Sequence, residues 1–448
     1  MNSRSKTILM VGLITLSIAA HTNIARAAAA DVPAQMAALQ SQVATMQAQV
    51  ASFQAQIKSL QIVLATVQAS SVLALGPYVT FDPNTENGLK GPNLIFHGLN
   101  VHIESGSGTT VDTTGLGNLV VGYDADSTSR SCASSASLLR TGSHNLIVGD
   151  CHQFSAAAGL LAGFANSVQG NWGSATGGSG NVVSAVYGTV SGGNNNEATG
   201  QYSSVSGGSN NIASNTESSV SGGANNIASG PAASVTGGLV NLASSQYSTV
   251  SGGECNSAGK SPNSAHCSPS VAGEGASVSG GECNTAGTAP VPAAFSCGPT
   301  AAGAAASVSG GDFNSARGID ASVIGGDANS ASGLDASVSG GEANSASFTG
   351  ASVSGGESNI ASDYDASVSG GNENKASSPA SSVSGGQNNT ASRPGASVSG
   401  GEFNTAGALA SGDNSSVSGG EFNTAGFDFS SVGGGLSNST ASNGQNIN

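Results

Sequence analysis

The stretch Ser204-Val205-Ser206-Gly207-Gly208 decides the fold, because close copies of it recur along most of the chain at a fixed distance. Aligned on the central residue, the anchor, most copies are fifteen residues apart, and steps of 28, 30 and 19 residues interrupt the series. The seventeen anchors are Leu160, Ala175, Val190, Val205, Val220, Val235, Val250, Val278, Val308, Val323, Val338, Val353, Val368, Val383, Val398, Val417 and Val432. So short a fixed period is typical of a solenoid, in which each repeat buries its apolar face only by stacking on its neighbours.

Fifteen residues are too few for a pair of helices, but they suffice for two short strands and two turns. The alternation of a strand turns the valine of Ser-Val-Ser inward and both serines outward, and the Gly-Gly pair permits a corner with positive φ. We therefore predict an all-β solenoid, a parallel β-roll of about fifteen-residue coils, over residues 160–440, followed by a disordered tail at 441–448.

An asparagine stands six residues after every anchor. Stacking places these side chains in one column, where they can hydrogen-bond from coil to coil as an amide ladder. The predicted ladder comprises Asn166, Asn181, Asn196, Asn211, Asn226, Asn241, Asn256, Asn284, Asn314, Asn329, Asn344, Asn359, Asn374, Asn389, Asn404, Asn423 and Asn438.

The first residues have the features of a secretory signal peptide, predicted over 1–27. Arg4 and Lys6 precede a largely apolar run over 7–20, and Ala25-Arg26-Ala27 provides small residues for cleavage. The run is too short for a spanning helix, and no later segment approaches the roughly twenty apolar residues that such a helix needs. We expect an exported chain, at the cell surface or extracellular, with no transmembrane segment in its mature form.

Apolar residues then recur at alternating steps of three and four, from Met36 to Val67, with glutamines beside them. This heptad seam predicts an α-helical coiled-coil stem over 32–70 and hence a homo-oligomer. A single amphipathic helix packed on a globular core is the alternative. The seam by itself leaves dimer and trimer open.

Residues 71–159 are predicted as a β-rich adaptor with the first irregular coils. Strands are expected over 78–81 and 93–103, between prolines. The segments 118–122 and 145–149 look like more apolar versions of the coil.

The signal peptide, the heptad stem and coils with Ser-Val-x-x-Gly at Val205, Val220, Val338 and Val353 together resemble the YadA-like head of trimeric autotransporter adhesins. The likeness covers roughly residues 118–440. It implies a left-handed parallel β-roll, a homotrimer and a role in adhesion. Two departures are that fifteen-residue steps dominate where that family commonly has fourteen, and that its C-terminal membrane anchor is not found before Asn448.

The six cysteines follow a signal peptide, so disulfides are expected. Two loop-closing bridges are predicted at the long interruptions, Cys255 to Cys267 and Cys283 to Cys297, with Cys132 to Cys151 as the third. The rival pairing is Cys255 to Cys283, because adjacent coils place Cα atoms at a distance that a disulfide tolerates. No metal site is predicted; one formed by cysteine with His266 is the weaker interpretation.

Carboxylates recur four residues after the anchor. The predicted acidic column comprises Glu254, Glu282, Asp312, Asp327, Glu342, Glu357, Glu402 and Glu421. A solvated edge that opposes aggregation explains such a column, and a binding site for calcium or a basic partner is the sharper hypothesis. No other cofactor is expected.

Composition narrows the function. The chain has 67 glycines among 448 residues, only 8% charged residues and a formal net charge of −15, which disfavours nucleic acid as a partner. We predict a non-enzymatic, adhesin-like surface or extracellular fibre whose ligand on a host, matrix or cell surface is not identified.

The alternatives are a solenoid that binds ice or another crystal surface through its serine pairs and, less favoured, one that acts on polysaccharides. No catalytic residue is predicted, and His97, His102, His144 and His152 are interpreted as surface or packing residues.

Overall fold

The structure is a computed structural model that describes residues 32–69, 75–125, 132, 139–259, 274–287 and 304–448. These residues divide between two compact units, with the boundary between His102 and Ile103. The predicted signal peptide lies outside the described residues.

The first unit contains one described helix, α1 (Val32–Gln68), which matches the position of the predicted stem. Most of its seam side chains are exposed to solvent; Phe53 and Leu60, for example, expose 61% and 67% of their surface. The unit also contains an antiparallel pair, β1 (Val79–Asp82) and β2 (Asn93–Phe96), in which Val79 lies opposite Phe96. The second predicted strand is therefore shorter than expected.

The second unit is a parallel β-solenoid of about 18 turns, which confirms the predicted fold class. Each regular coil contributes one two-residue strand to each of two stacks. The valine sheet contains the anchors, and the alanine sheet contains the residue that stands eight positions after the anchor, which is alanine in every coil from Ala198 to Ala425.

The strands of the valine sheet pair in parallel with those of the coils before and after them. They are β3 (Leu119–Val121), β4 (Leu146–Asp150), β6 (Leu160–Phe164), β8 (Ser174–Ala175), β10 (Thr189–Val190), β12 (Ser204–Val205), β14 (Ser219–Val220), β16 (Ser234–Val235), β18 (Thr249–Val250), β20 (Ser277–Val278), β22 (Ser307–Val308), β24 (Ser322–Val323), β26 (Ser337–Val338), β28 (Ser352–Val353), β30 (Ser367–Val368), β32 (Ser382–Val383), β34 (Ser397–Val398), β36 (Ser416–Val417), β38 (Ser431–Val432) and β39 (Asn446–Ile447).

The strands of the alanine sheet stack in the same way. They are β5 (Gln153–Phe154), β7 (Ser167–Val168), β9 (Val182–Val183), β11 (Glu197–Ala198), β13 (Ile212–Ala213), β15 (Ile227–Ala228), β17 (Leu242–Ala243), β19 (Ser257–Ala258), β21 (Thr285–Ala286), β23 (Ser315–Ala316), β25 (Ser330–Ala331), β27 (Ser345–Ala346), β29 (Ile360–Ala361), β31 (Lys375–Ala376), β33 (Thr390–Ala391), β35 (Thr405–Ala406) and β37 (Thr424–Ala425).

The core between the sheets is thin and made of small side chains. The anchors from Ala175 to Val432 and the alanines are almost fully buried, and so is a small residue two positions before the anchor, such as Ala336 before Val338. The sequence predicted the first two contributions but not the third. Among the described residues, the buried apolar side chains larger than valine lie near the start of the stack, where Ile147, Phe154 and Leu161 belong to the core.

The long steps in the series leave the stacking register intact. Val250 pairs with Val278, Val278 with Val308, and Val398 with Val417, so the extra residues do not displace the next coil. The valine sheet is therefore continuous across all three insertions.

Two boundaries differ from the prediction. Ala175 pairs with Leu161, not with the predicted anchor Leu160, because the coil between them has fourteen residues and a fixed period of fifteen misplaces its start. The predicted disordered tail instead adds a strand: Asn446 and Ile447 pair with β38, and Ile447 packs against the core.

Candidate functional site

The asparagine column has a bonding pattern that is repeated from coil to coil. The side-chain Oδ1 of Asn196 accepts the backbone N–H of Asn211 at 2.9 Å. The Nδ2 of Asn196 donates to the carbonyl oxygens of Gly192 in its own coil and Gly208 in the next, at 2.9 and 3.0 Å. Each asparagine side chain therefore bonds to the backbone of its own coil and of the next one. The predicted ladder of bonds from amide to amide is not formed.

This pattern explains why asparagine recurs here. Asn196 and Asn211 are fully buried, and a buried polar group without partners is costly. An aspartate lacks the two N–H donors that the glycine carbonyls require. Gly208 completes the arrangement, because its φ is +86° and an added Cβ would overlap the carbonyl oxygen of Gly223.

The column continues upstream with other residue types, which sequence reasoning missed. Nδ1 of His152 accepts the backbone N–H of Asn166 at 3.3 Å, and Nε2 donates to the carbonyl oxygen of Val148 at 3.2 Å. One coil earlier, Oδ1 of Asp124 accepts the N–H of His152 at 2.9 Å, while Arg140 pairs with Asp124 at 3.1 Å. Because these bonds use the positions that asparagine atoms use elsewhere, His152 has a structural place in the stack.

A second cluster near the start of the stack centres on Asp112. Its carboxylate accepts hydrogen bonds from the hydroxyls of Ser105, Ser107 and Ser143. These bonds stabilise the ionised form and hold the pKa of Asp112 well below its usual range. Nε2 of His144 accepts the backbone N–H of Ser105 at 3.0 Å, so this histidine contacts serine backbone and not a serine hydroxyl.

The outer surface of the valine sheet is an array of hydroxyls, which we call the hydroxyl face. The residue before the anchor is serine or threonine in every coil from Ser174 to Ser431. The residue after the anchor is also serine or threonine from Thr176 to Ser418, with Ile324 as the exception. Strand alternation directs both columns to solvent, and neither contains a charged residue. The alanine sheet is more varied, since its outward positions include Glu197, Ile212 and Lys375.

The acidic column lies at one corner of the stack. Successive backbone bridges place Glu254, Glu282, Asp312, Asp327, Glu342 and Glu357 one above another. All six are exposed. Asn372 and Gln387 follow in the same column before Glu402 and Glu421, and Nδ2 of Asn372 donates to Glu357 at 3.0 Å.

The described carboxylates do not form a compact cation site. Among the residues that the structure describes, the one group of three potential ligand atoms lying within 4.8 Å of one another is Cys132, Asp150 and Cys151. The two sulfur atoms of that group are bonded to each other. The group therefore offers no thiolate to a metal.

The cysteines divide into two sets. Cys132 and Cys151 form a disulfide with Cα atoms 5.4 Å apart, as the sequence suggested. Cys255 and Cys283 are free thiols. Their predicted partners, Cys267 and Cys297, lie outside the described residues, as does His266.

Aromatic side chains stack at the corners, another feature that the period did not reveal. The rings of Trp172 and Tyr187 lie 5.0 Å apart and nearly parallel, and Tyr187 stacks on Tyr202 in the same way. Phe403 and Phe422 form a similar pair at 4.9 Å. Because the rings face one another, solvent meets mainly their edges.

Comparison of the chain with protein-family models and with curated proteins finds no match. Within the described part of the chain, no helix is both long and apolar enough to cross a membrane.

Proposed function

We propose that this chain is an exported, non-enzymatic, adhesin-like fibre protein of a bacterial surface or its surroundings. In this proposal a coiled-coil stem sets a homotrimer, and a left-handed β-roll presents repeated contacts to a ligand. The observation that carries it is the uninterrupted register of the two sheets, which gives a long stack with the same small polar groups outward in coil after coil.

The stem supports the oligomeric part of the proposal. The helix α1 has 37 residues, and its apolar seam, including Val43, Val50 and Ile57, is exposed in the single chain. Burial of such a seam between helices is the usual source of coiled-coil stability. A second and third copy of the chain provide the matching surface.

Attachment of cells tests the function. Bacterial cells that express the full chain should remain attached to a coated surface in greater numbers than cells that do not express it. A matched variant lacks residues 324–383, which removes four whole coils. Val323 is then followed by Ser384, so the next anchor, Val398, still comes fifteen residues later. Because solenoid coils contact mainly their neighbours, the shortened roll should fold and give reduced attachment. Retention equal to that of cells without the protein would contradict the adhesive function.

The hydroxyl face favours a second candidate, binding to ice or another crystal surface. Its two columns of serine and threonine repeat at the strand spacing of about 4.8 Å and carry no charge. A thermal hysteresis measurement separates the two functions: a hysteresis gap that disappears when Ser337, Ser339, Ser352 and Ser354 are replaced by lysine supports ice binding. The absence of a gap in the unmodified protein contradicts it.

A further inference from the structure

We propose that Cys255 and Cys283 form a disulfide that joins two successive coils across the first insertion. Both cysteines stand at the same corner, five residues after the anchors Val250 and Val278. Both have positive φ, 56° and 53°. This proposal concerns a modification of the roll and does not depend on the adhesive function.

The stacking register brings the two residues together. The preceding residues, Glu254 and Glu282, form a parallel bridge, and Asn284 donates its backbone N–H to Oδ1 of Asn256 at 2.9 Å. Cys255 and Cys283 lie between these two matched pairs, one strand spacing apart. That spacing is about 4.8 Å, and disulfides span Cα distances of roughly 4.4 to 6.8 Å.

The surroundings distinguish the two thiols. Cys255 is exposed and Cys283 is half-buried. Burial raises the pKa of the Cys283 thiol above its ordinary value, and the neighbouring Cys255 and Glu282 raise it further. Cys255 is therefore the thiol that an oxidant reaches first.

The oxidant in this reaction is a small-molecule disulfide such as oxidised glutathione. The Cys255 thiolate attacks one glutathione sulfur, which breaks the glutathione disulfide and releases one glutathione thiol. The Cys283 thiolate then attacks the sulfur of Cys255 and releases the second. Two cysteine thiols are oxidised, one glutathione disulfide is reduced to two thiols, and both protons leave with the glutathione.

Such a bond would join two neighbouring coils whose anchors are 28 residues apart in the sequence. The extra residues of this step follow Gly259, and residues 260–273 lie outside the part of the chain that the structure describes. A disulfide at the opposite corner of the same coils would couple them directly. The oxidising environment outside the cytosol favours such bonds.

Peptide mapping tests the proposal. The purified full chain is incubated with oxidised glutathione, its remaining free thiols are alkylated, and it is digested without reduction. Cleavage after Lys260, after glutamate and after Phe295 separates the cysteines into the peptides 255–260, 261–274 and 283–295 and a peptide that begins at 296. We expect 255–260 linked to 283–295. A link from 255–260 to 261–274, a link from 283–295 to the peptide that begins at 296, or alkylation of both Cys255 and Cys283 would overturn the proposal.

The variant Cys255→Ser provides a matched control. Serine fits this corner, since Ser358 and Ser437 occupy it in other coils with positive φ. The proposal predicts that the variant exposes one new thiol, Cys283, to alkylation, while Cys132 and Cys151 stay linked. Release of Cys267 in its place would show that the bridge closes the insertion loop and would contradict the proposal.

Discussion

Nδ1 of His152 accepts the backbone N–H of Asn166, which is the bond that Oδ1 of Asn166 makes with Asn181 one coil later. An imidazole and a carboxamide thus perform the same task in neighbouring coils. Each accepts one backbone N–H from the next coil and donates to the carbonyl oxygen four residues earlier. What recurs in this column is therefore a set of hydrogen bonds, and asparagine is the residue that usually makes them.

This equivalence predicts the behaviour of two substitutions at position 152. His152→Asn should keep most of the stability, because its amide can make both bonds. His152→Ala should lower the free energy of unfolding by about 2 kcal/mol or more, since the Asn166 N–H and the Val148 carbonyl both lose a partner in a buried place. Denaturant unfolding measures both. His97→Ala, at an exposed position, should change stability by less than about 0.5 kcal/mol. Equal losses in the asparagine and alanine variants would contradict the equivalence.

A ladder asparagine in the middle of the roll should be similarly sensitive. In Asn329→Asp the carboxylate keeps the acceptor for Asn344 but has no N–H for the carbonyls of Gly325 and Gly341, which now receive bonds of 2.9 Å. A buried carboxylate that receives one N–H and faces two carbonyl oxygens without donors is expensive, so we expect a loss of at least about 2 kcal/mol. Thermal and denaturant unfolding should show the loss at neutral pH. Ser339→Ala, on the hydroxyl face, is the matched control and should remain within about 0.5 kcal/mol of the original protein.

Repulsion within the acidic column should be measurable at low ionic strength. Like charges in neighbouring strands destabilise a sheet, so Glu342→Gln should raise the melting temperature, and added salt should reduce the difference by screening. Glu217→Gln, whose corner neighbours Tyr202 and Ala232 are uncharged, should give a smaller change. If calcium raises the melting temperature of the original protein and not that of Glu342→Gln, the column binds cations.

The proposed coiled-coil stem can be tested by substitution in α1. Phe53→Asp places a charge on the apolar seam, where association would bury it, and should shift the protein from oligomer to monomer in sedimentation experiments. Gln54→Asp adds the same charge beside the seam and should leave the oligomer intact. The helix itself should persist in both variants by circular dichroism, so a difference between them reports association.

The fifteen-residue period predicted most of the fold. A fixed period specifies that the coils stack, and the alternation of Ser-Val-Ser specifies which side chains face inward. It failed where the period changes: the fourteen-residue coil after Leu161 displaced the predicted anchor by one residue. The bonding of the asparagines was also beyond the pattern, since their partners are glycine carbonyls whose positions depend on the corner geometry. His152 and Asp124 were missed because they share a place in the column but not a residue type.

The tail and the cysteines show a similar division. The residues near Ile447 carry no Ser-Val-Ser motif, yet they gain from covering the last core side chains and so add a strand. The cysteine spacing left two pairings open, and only the stacking register places Cys255 beside Cys283. The histidines gave no signal in the sequence that distinguishes His152, fully buried, from the exposed His97.

Sedimentation equilibrium of the purified mature protein measures its mass in solution and so tests whether three stems join in one fibre. A homotrimer has three times the mass of one chain and should dissociate in Phe53→Asp. A monomer across the accessible concentration range would contradict the trimeric, adhesin-like arrangement, although the β-solenoid of the single chain would stand.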